Sequence, residues 1–341
     1  MENPIYVYPG RFCPPTYGHA NIVKRAAELF PEVYVICSVN PDKNNDIFRP
    51  EESKALWEAY NLPDNVIITT LDEFMSLNRD NSRVIIIRGI RNYADLKDEE
   101  KVMALNKAKF GIDKYFYFVS ETGLEEISAS KAREMAANLE LEKLSEYVAP
   151  MIVTKLIERI FGFRNVFMVV GRPGSGKSTF LKMLTGNNFI IDTDKLSKAL
   201  RPFLKEKFPG EDLVKVAIER KEEFMAAIKD PWMSLLKENM RNAPNGANVF
   251  IEIPYGLCPD KAMYRYLGGK VIHFYCNPEN NHKRLVHRNT PHHAKFMEEI
   301  PGKEESDKIA RENRLIMTTV DTNSSIADLE KQAKIFSSKG E

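Results

Sequence analysis

Residues 5–19 have the sequence IYVYPGRFCPPTYGH, in which an apolar run leads into a turn rich in proline and glycine. A segment with apolar residues at helical spacing, 20–30, follows the turn. Apolar runs and helical patterns alternate along the remaining chain, which predicts parallel sheets with helices on both faces. At 341 residues the chain is long enough for two domains. The sequence therefore predicts an α/β protein with two doubly wound parallel-sheet domains.

The predicted elements fall into two groups, and the pattern restarts at Val166. In the first group, strands are predicted at 5–8, 33–39, 66–70, 84–87 and 114–119, and helices at 20–30, 50–60, 93–110 and 129–161. In the second group, strands are predicted at 166–170, 189–191, 249–253 and 270–276, with a helix at 177–184. Helical sequence at 195–241 is expected to be interrupted at Pro209-Gly210 and at Pro231. We place the domain boundary so that the domains are 1–162 and 163–341.

The composition indicates a globular protein in which the charges balance. Hydrophobic residues make up 43% of the chain, and 49 Lys and Arg against 48 Asp and Glu leave a net charge of +1. These values exclude a disordered tail protein and give no overall attraction to nucleic acid or anionic membranes. The four cysteines include no CxxC pair, and no apolar run approaches the ~20 residues that cross a bilayer. We expect a cytoplasmic protein without disulfides or structural zinc.

Cationic and polar residues follow the predicted strands of the first half. The sequence NPDK at 40–43 follows the second strand, RGIR at 88–91 the fourth, and ISASKAR at 127–133 the fifth. Ligands of open α/β sheets bind at the carboxyl ends of the strands, so these residues are expected to meet at one site. Gly18-His19 at a helix start adds backbone N–H groups and a side-chain donor suited to a phosphate. The serines of the last motif also suit a helix N-cap, and the two roles are compatible.

With these motifs the first half resembles phosphopantetheine adenylyltransferase, of the nucleotidyltransferase superfamily marked by a T/HxGH loop and an ISxSxxR loop. The run 88–107 (RGIR, YADLKDE and LNK) adds a more specific match. The resemblance implies a Rossmann-like domain in which the phosphate of phosphopantetheine attacks the α-phosphorus of ATP and releases pyrophosphate. It implies catalytic roles for His19, Lys43 and Arg91, and acceptor binding by Arg11, Lys43, Met75 and Arg88.

The same resemblance implies an ATP site in the first half. Its expected members are Arg11, Phe12, His19, Gly89, Ile90, Arg91, Glu99, Leu124, Ile127, Ser128, Ala129 and Ser130. The sequence departs from the family at two of these positions, because Arg11 stands where Thr or Ser is usual and Ala129 replaces a frequent Ser. The GRF triplet is similar to that of nicotinamide-mononucleotide adenylyltransferases, which leaves the identity of the acceptor open.

The second half contains a phosphate-binding loop. Residues 171–178, GRPGSGKS, match the G-x-x-x-x-G-K-[ST] pattern between a predicted strand and a predicted helix. In this pattern backbone N–H groups surround the phosphates, the lysine reaches the β- and γ-phosphates, and the hydroxyl binds Mg²⁺. The expected ATP contacts are Gly171, Arg172, Pro173, Gly174, Ser175, Gly176, Lys177, Ser178, Thr179, Arg284 and Arg288.

Two carboxylates and a basic segment complete the prediction for this half. Asp192 is expected to bind Mg²⁺ with Ser178, and Asp194 to act as the catalytic base beside Lys177, although either aspartate also suits a helix N-cap. Arg284 and Arg288 lie four residues apart on one helical face and, with 289–303, form a predicted lid. The histidines of this region lack matching acidic or Cys ligands, so we expect exposed lid histidines and no metal site; they are His287, His292 and His293.

The second half is similar to dephospho-CoA kinase in the stretches GSGKST, 190–195, 249–254, 277–288 and 320–323. This resemblance implies a P-loop kinase with ATP and Mg²⁺, in which Asp194 activates the ribose 3′-hydroxyl of dephospho-CoA. The family's His-Pro near the substrate helix is missing, and Arg172-Pro173 before GSGKS is similar to nucleoside and polynucleotide kinases.

Together the halves predict a bifunctional coenzyme A synthase whose small-molecule partners are ATP, phosphopantetheine and dephospho-CoA. An alternative is a nicotinamide mononucleotide adenylyltransferase fused to a ribosylnicotinamide kinase, and a second is a non-catalytic nucleotide sensor. No basic stripe interleaved with aromatic residues indicates nucleic-acid binding, and no segment indicates a membrane. The sequence is compatible with a homo-oligomer.

Overall fold

The computed structural model describes residues 3–39, 47–78, 80–91, 93–253, 270–287 and 316–337. The chain divides into two compact units, Met1–Met135 with Lys143–Ile152 and Ala136–Glu142 with Val153–Glu341. Each unit contains one five-stranded sheet. Within these described ranges, every helix is too short or too polar to cross a membrane.

The sheet of the first unit is parallel throughout and has the order β3-β2-β1-β4-β5. Its strands are β1 (Ile5–Gly10), β2 (Val33–Cys37), β3 (Val66–Thr70), β4 (Val84–Ile90) and β5 (Tyr115–Val119). The order reverses at the central strand, because β1 pairs with β2 on one side and with β4 on the other. A crevice therefore opens between the carboxyl ends of β1 and β4, where open α/β sheets bind ligands.

The described chain up to residue 161 contains seven α-helices. They are α1 (Tyr17–Leu29), α2 (Pro50–Leu56), α3 (Leu71–Leu77), α4 (Tyr93–Phe110), α5 (Ala129–Asn138), α6 (Leu141–Leu144) and α7 (Pro150–Phe161). Helix α1 follows the central strand and buries Ala20, Ile22, Val23 and Ala26, which lie on one face at helical spacing. Burial of this face fixes the start of α1 at the crevice.

The sheet of the second unit is also parallel, with the order β10-β9-β6-β8-β7. Its strands are β6 (Asn165–Gly171), β7 (Asn188–Asp192), β8 (Asn248–Glu252), β9 (Lys270–Tyr275) and β10 (Ile316–Asp321). The described helices are α8 (Lys177–Leu181), α9 (Thr193–Ala199), α10 (Arg201–Lys207), α11 (Leu213–Glu219), α12 (Lys221–Arg241), α13 (Pro278–His287) and α14 (Ile326–Phe336). Buried Val169, Phe180, Phe250 and Phe274 hold α8 against the centre of this sheet.

The predicted fold class is confirmed, since both units are α/β with parallel sheets, but several predicted boundaries were wrong. The 88–90 segment belongs to β4 itself, where it pairs with 117–119 of β5, and does not follow the strand. The predicted helix 129–161 is three helices, because Leu139 adopts a positive φ of 57° after α5. Pro231 lies inside α12 and does not interrupt it.

The two compact units do not coincide with the domains drawn from the sequence. Helix α7, which we assigned to the first domain, belongs to the second unit from Val153 onward. The functional boundary between residues 162 and 163 stays a prediction.

Candidate functional site

The loop after β1 is shaped by the packing of Phe12. A side chain on Gly10 would lie 2.6 Å from the Phe12 ring, so only glycine leaves room for the ring at this position. Phe12 has a positive φ of 43° and is buried, with its ring 5.0 Å from that of Trp57 and 5.2 Å from that of His19. Phe12 therefore sets the course of the loop and supports His19 from one side.

A capping box holds His19 at the start of α1. Thr16 is the N-cap, and its Oγ1 accepts a hydrogen bond from the backbone N–H of His19 at 3.4 Å. In return the backbone N–H of Thr16 donates to Nδ1 of His19 at 3.1 Å. These reciprocal bonds fix the imidazole over the helix N-terminus, where backbone N–H groups favour an anion.

The surroundings of His19 keep its ring uncharged. The ring is half-buried, with the ring of Tyr8 centred 6.4 Å away and that of Phe12 centred 5.2 Å away. Burial is the main cause that lowers the pKa of His19 to about 4, and the positive charges of Arg91 and Arg88 lower this pKa further. At neutral pH His19 is therefore a neutral hydrogen-bonding group among fixed cations.

Arg88 is fixed between the sheet and α4. Its Nε donates to Glu99 Oε2 at 2.7 Å, its Nη2 donates to the other oxygen of Glu99, and its Nη1 donates to the Pro9 carbonyl at 3.2 Å. Glu99 is buried, so this fork-shaped pair is shielded from water. The guanidinium is thus held in one orientation at the carboxyl end of β4.

Arg91 lies at the end of the same strand and is held by Asp95 of α4. Its backbone N–H and Nε both donate to Asp95 Oδ2, at 3.0 and 2.9 Å. This bond to Arg91 is the main cause that lowers the pKa of Asp95. Arg91 is exposed, and its charge is one of the causes that lower the pKa of His19.

The ISxSxxR loop lies beside the start of α1. Ile127 packs over Gly18, with its Cγ2 3.7 Å from the position that a side chain on Gly18 would occupy. Ser128 Oγ accepts from the Lys131 backbone N–H at 3.2 Å, which is the N-cap role that the sequence left open. Arg133 joins this loop to the loop after β1, because it donates to the Cys13 carbonyl at 2.6 Å and to Ser130 Oγ at 3.1 Å.

The glycine loop of the second unit connects β6 to α8. Lys177 is buried at the start of α8, and its Nζ donates to the carbonyl oxygens of Gly171 and Arg172 at 2.8 and 3.0 Å. Gly176, the N-cap of α8, has a positive φ of 90°. The loop therefore surrounds the lysine ammonium and directs its backbone N–H groups toward the helix start.

Replacing Gly171 by alanine should destabilise the second unit. A side chain there would lie 2.8 Å from the Phe274 carbonyl oxygen, and this backbone atom belongs to a paired strand that cannot shift easily. Gly171→Ala is expected to lower the free energy of unfolding by about 2 kcal/mol more than Gly210→Ala, whose site also has a positive φ but open space.

The measurement is urea unfolding followed by Trp232 fluorescence in a Trp57→Phe background, because Trp232 is buried in the second unit. Equal unfolding midpoints for the two glycine variants would contradict the close approach of the glycine loop to β9.

Acidic residues lie near the glycine loop at the ends of β7 and β8, although in the described part of the chain no three of them form a group that could hold a metal ion by carboxylates alone. Glu252 Oε1 accepts from Ser178 Oγ at 3.1 Å. Burial raises the pKa of Glu252, Lys177 and Ser178 act to lower it, and the charges of Asp192 and Asp194 add to the increase. These hydroxyl and carboxylate oxygens are the ligands that Mg²⁺ prefers.

Helix α13 fastens the glycine loop to the end of β10. Arg284 Nη2 donates to the Thr322 carbonyl at 2.7 Å, and its Nη1 donates to Thr322 Oγ1 at 3.1 Å and to the Gly174 carbonyl at 3.4 Å. Buried Asn281 donates to the Pro173 carbonyl at 2.8 Å. These bonds support the loop from outside.

Comparison with known proteins separates the two halves of the chain. The cytidylyltransferase-like family model matches residues 7–135. The phosphopantetheine adenylyltransferase of Mannheimia succiniciproducens is 32% identical over 155 residues, which cover 45% of this chain and 96% of that protein. This chain belongs to the phosphopantetheine adenylyltransferase family. The similarity to this relative lies within less than half of the chain.

A second relative agrees with this assignment. The phosphopantetheine adenylyltransferase of Petrotoga mobilis is 30% identical over 154 residues, covering 45% of this chain and 94% of that protein. A crystal structure of NadR protein in complex with NR aligns with a TM-score of 0.34 and 16% identity, covering 98% of this chain and 95% of that chain. Nicotinic acid mononucleotide adenylyltransferase of Plasmodium falciparum complexed with NaAD aligns with a TM-score of 0.33 and 16% identity. This alignment covers 47% of this chain and 95% of that chain.

The structure brings the central family residues together at one crevice. The positive charges of Arg88 and Arg91 lower the pKa of His19, and Ile127 packs beside Gly18 at the start of α1. Burial is the main cause that lowers the pKa of Arg133, and the positive charge of nearby Arg11 also lowers it. Phe12 contacts His19, and Glu99 pairs with Arg88. Of the other predicted members, Gly89 and Ile90 lie in β4, and Ser128, Ala129 and Ser130 lie in the ISxSxxR loop and the start of α5.

Other predicted residues lie apart from this cluster or outside the described residues. Met75 is on α3 with 39% of its surface exposed. Leu124 is closer to the cluster, because its carbonyl accepts a hydrogen bond from the backbone N–H of Ile127 at 3.1 Å. Lys43, Arg288 and the segment 289–303 lie outside the described residues, as do His292 and His293. Among the residues that the structure describes, no three or more His, Cys, Asp or Glu side chains form a group that could hold a metal ion.

In the second unit, Asp192 has the N-cap role that the sequence left open, and the predicted roles of Asp192 and Asp194 stay predictions. Asp192 Oδ1 accepts from the backbone N–H groups of Asp194 and Lys195 at 3.1 and 3.4 Å, so Asp192 is the N-cap of α9. Asp194 is exposed in the first turn. Glu252 was missed, although its position as a carboxylate at a strand end was a usable signal.

Arg133 was also missed as a site residue. It is the arginine of the ISxSxxR motif, so the motif itself was the signal. Arg284 was expected on a lid over the phosphates, whereas its guanidinium contacts the backbone of the glycine loop and Thr322. Its predicted contact with ATP stays a prediction.

Proposed function

We propose that the first half transfers AMP from ATP to 4′-phosphopantetheine, giving dephospho-CoA and pyrophosphate. The observation that best supports this proposal is the 32% identity to a phosphopantetheine adenylyltransferase over almost its whole length. The arrangement of His19, Arg88 and Arg91 around one crevice supports the same reaction.

In this reaction an oxygen of the acceptor phosphate attacks the α-phosphorus of ATP. A new O–P bond forms, the bond from the α-phosphorus to the bridging oxygen breaks, and pyrophosphate leaves with that oxygen. His19 donates a hydrogen bond to an α-phosphate oxygen, where negative charge grows in the transition state. Arg88, held rigid by Glu99, steadies the acceptor phosphate, and Arg91 borders the ATP phosphates. No covalent nucleophile is required, because fixed donors and alignment provide the acceleration.

We propose that the second half transfers the γ-phosphoryl group of a second ATP to the ribose 3′-hydroxyl of dephospho-CoA. The glycine loop with buried Lys177 supports phosphate binding, and the sequence resemblance to dephospho-CoA kinase supports this acceptor. Asp194, exposed at the start of α9, accepts the proton of the attacking hydroxyl. Ser178, Asp192 and Glu252 would hold Mg²⁺, which neutralises phosphate charge when bound.

One assay tests both reactions. Wild-type protein with 4′-phosphopantetheine, ATP and Mg²⁺ should release pyrophosphate and form dephospho-CoA, followed by coenzyme A, as measured by mass spectrometry. Pyrophosphate with dephospho-CoA alone would remove the kinase proposal. Absence of both coenzyme products would remove the whole proposal.

Nicotinamide mononucleotide is the alternative acceptor, because the GRF triplet, with Arg11 after Gly10, is similar to that of the adenylyltransferases that use this nucleotide. A parallel assay with nicotinamide mononucleotide and ribosylnicotinamide separates the two. Product formed only from these compounds would favour the alternative, and ATP binding without any turnover would favour a nucleotide sensor.

Glu252→Gln should reduce phosphorylation of dephospho-CoA by ~10²-fold while sparing adenylyl transfer. The substitution keeps the size of the side chain but removes the charge beside Ser178 and Lys177, where the phosphoryl group and its cation bind. Initial rates at saturating ATP provide the measurement. The matched control is Glu279→Gln, which changes an exposed glutamate paired with Lys283. Equal kinase rates for both variants would contradict the assigned position of Glu252.

A further inference from the structure

The hydrogen bonds of His19 at the start of α1 determine which ring nitrogen bears the proton. The backbone N–H of Thr16 lies 3.1 Å from Nδ1 of His19 and can only donate. Nδ1 must therefore accept this bond, which requires an unprotonated Nδ1. In a neutral ring the proton then resides on Nε2, on the side of the imidazole away from Thr16.

The side chain of Thr16 supports the same arrangement. Its Oγ1 accepts from the backbone N–H of His19 and lies 3.1 Å from Nδ1, so backbone and ring are held from one residue. Thr16 is almost completely buried, which shields these bonds from water. The geometry leaves the ring one donor, at Nε2.

The charged neighbours of the ring favour a neutral imidazole. Arg88 and Arg91 approach from β4 and oppose a positive ring, and burial raises the pKa of the Tyr8 hydroxyl on β1 so that it stays neutral. A protonated His19 would have two N–H donors and would lose the bond from Thr16.

We infer that Thr16 is a positioning residue that holds His19 as the neutral Nε2–H tautomer, and that this tautomer contacts the reacting phosphate. The contact with phosphate rests on the proposed adenylyl transfer. The tautomer is a property of the free protein and is tested without any substrate.

The test of the tautomer is ¹⁵N NMR of full-length protein labelled at histidine, with the His19 signals assigned by their loss in His19→Gln. At pH 7 the expected spectrum has Nδ1 in the unprotonated range and Nε2 in the proton-bearing range, with the change to imidazolium centred near pH 4. A proton on Nδ1, or an imidazolium at pH 7, would overturn the inference even if the enzyme is active.

The contact with phosphate is tested by two amides at position 19. The amide nitrogen of glutamine reaches about as far as Nε2, whereas that of asparagine reaches only about as far as Nδ1. The kcat of His19→Gln should therefore be at least ~10-fold higher than that of His19→Asn. This difference is smaller than the ~10²–10³-fold loss of rate expected when one donor is removed completely. An equal loss of kcat in both variants would overturn the contact between Nε2–H and the phosphate. An inactive wild type would instead refute the proposed function, and the NMR result on the tautomer would still stand.

Discussion

His19→Ala is expected to slow adenylyl transfer to phosphopantetheine by ~10²–10³-fold, because it removes a fixed donor from the α-phosphate in the transition state. The donor is effective because the capping box with Thr16 orients it before substrate binds. Single-turnover release of pyrophosphate measures the change directly. The variant should bind ATP with little loss, since the helix N-terminus and Arg91 remain.

Two controls accompany this prediction. Phosphorylation of added dephospho-CoA should be unchanged, and the loss of one capping bond should cost about 1 kcal/mol of stability. If His19→Ala transferred AMP at the wild-type rate while folded, the crevice between β1 and β4 would not be the site of the reaction.

Lys177→Ala is expected to abolish phosphorylation of dephospho-CoA, with a loss of at least ~10²–10³-fold. Lys177 Nζ lies inside the glycine loop. In the proposed reaction it meets the β- and γ-phosphates as charge moves between them. The measurement is transfer of ³²P from γ-labelled ATP to dephospho-CoA. Adenylyl transfer by the same variant should stay at the wild-type level.

The matched control is Lys182→Ala, which removes an exposed lysine just beyond α8. This variant should phosphorylate dephospho-CoA normally, because its side chain lies outside the loop. A similar loss in both variants would show that the effect comes from net charge or folding and would contradict the assigned role of Lys177.

The sequence was sufficient for features that depend on local pattern. The turn at 9–19 and the glycine loop at 171–178 combine fixed residue spacing with a strand before and a helix after, and both contexts are present. The carboxyl ends of parallel strands lie at one edge, so RGIR and the ISxSxxR loop could be placed near His19 before their contacts were known.

Features that depend on tertiary packing could not be predicted in this way. Pro231 indicated a helix break, yet α12 continues through it, because apolar residues four apart on one face are buried together. Their burial outweighs the ~3 kcal/mol that an interior proline costs; they are Phe224, Ile228, Trp232, Leu236 and Met240.

Contacts between side chains that are far apart in the sequence could not be predicted either. Glu252 is 74 residues from its partner Ser178, and Arg284 is 110 residues from Gly174. The sequence contains no local signal for these pairs, since only the order of β6, β8 and β9 in the sheet brings their ends together. The strand–loop–helix context of the glycine loop was therefore predictable, whereas its supports were not.

The central claim is that one chain contains two separate ATP sites that act in sequence, and mixing two inactive variants tests it most directly. His19→Ala and Lys177→Ala are each incubated with phosphopantetheine, ATP and Mg²⁺, alone and together, and coenzyme A is measured by mass spectrometry. We predict almost no coenzyme A from either variant alone and steady formation from the mixture, because dephospho-CoA made by Lys177→Ala is phosphorylated by His19→Ala. A mixture of folded variants that forms no coenzyme A, beside an active wild type, would contradict the claim.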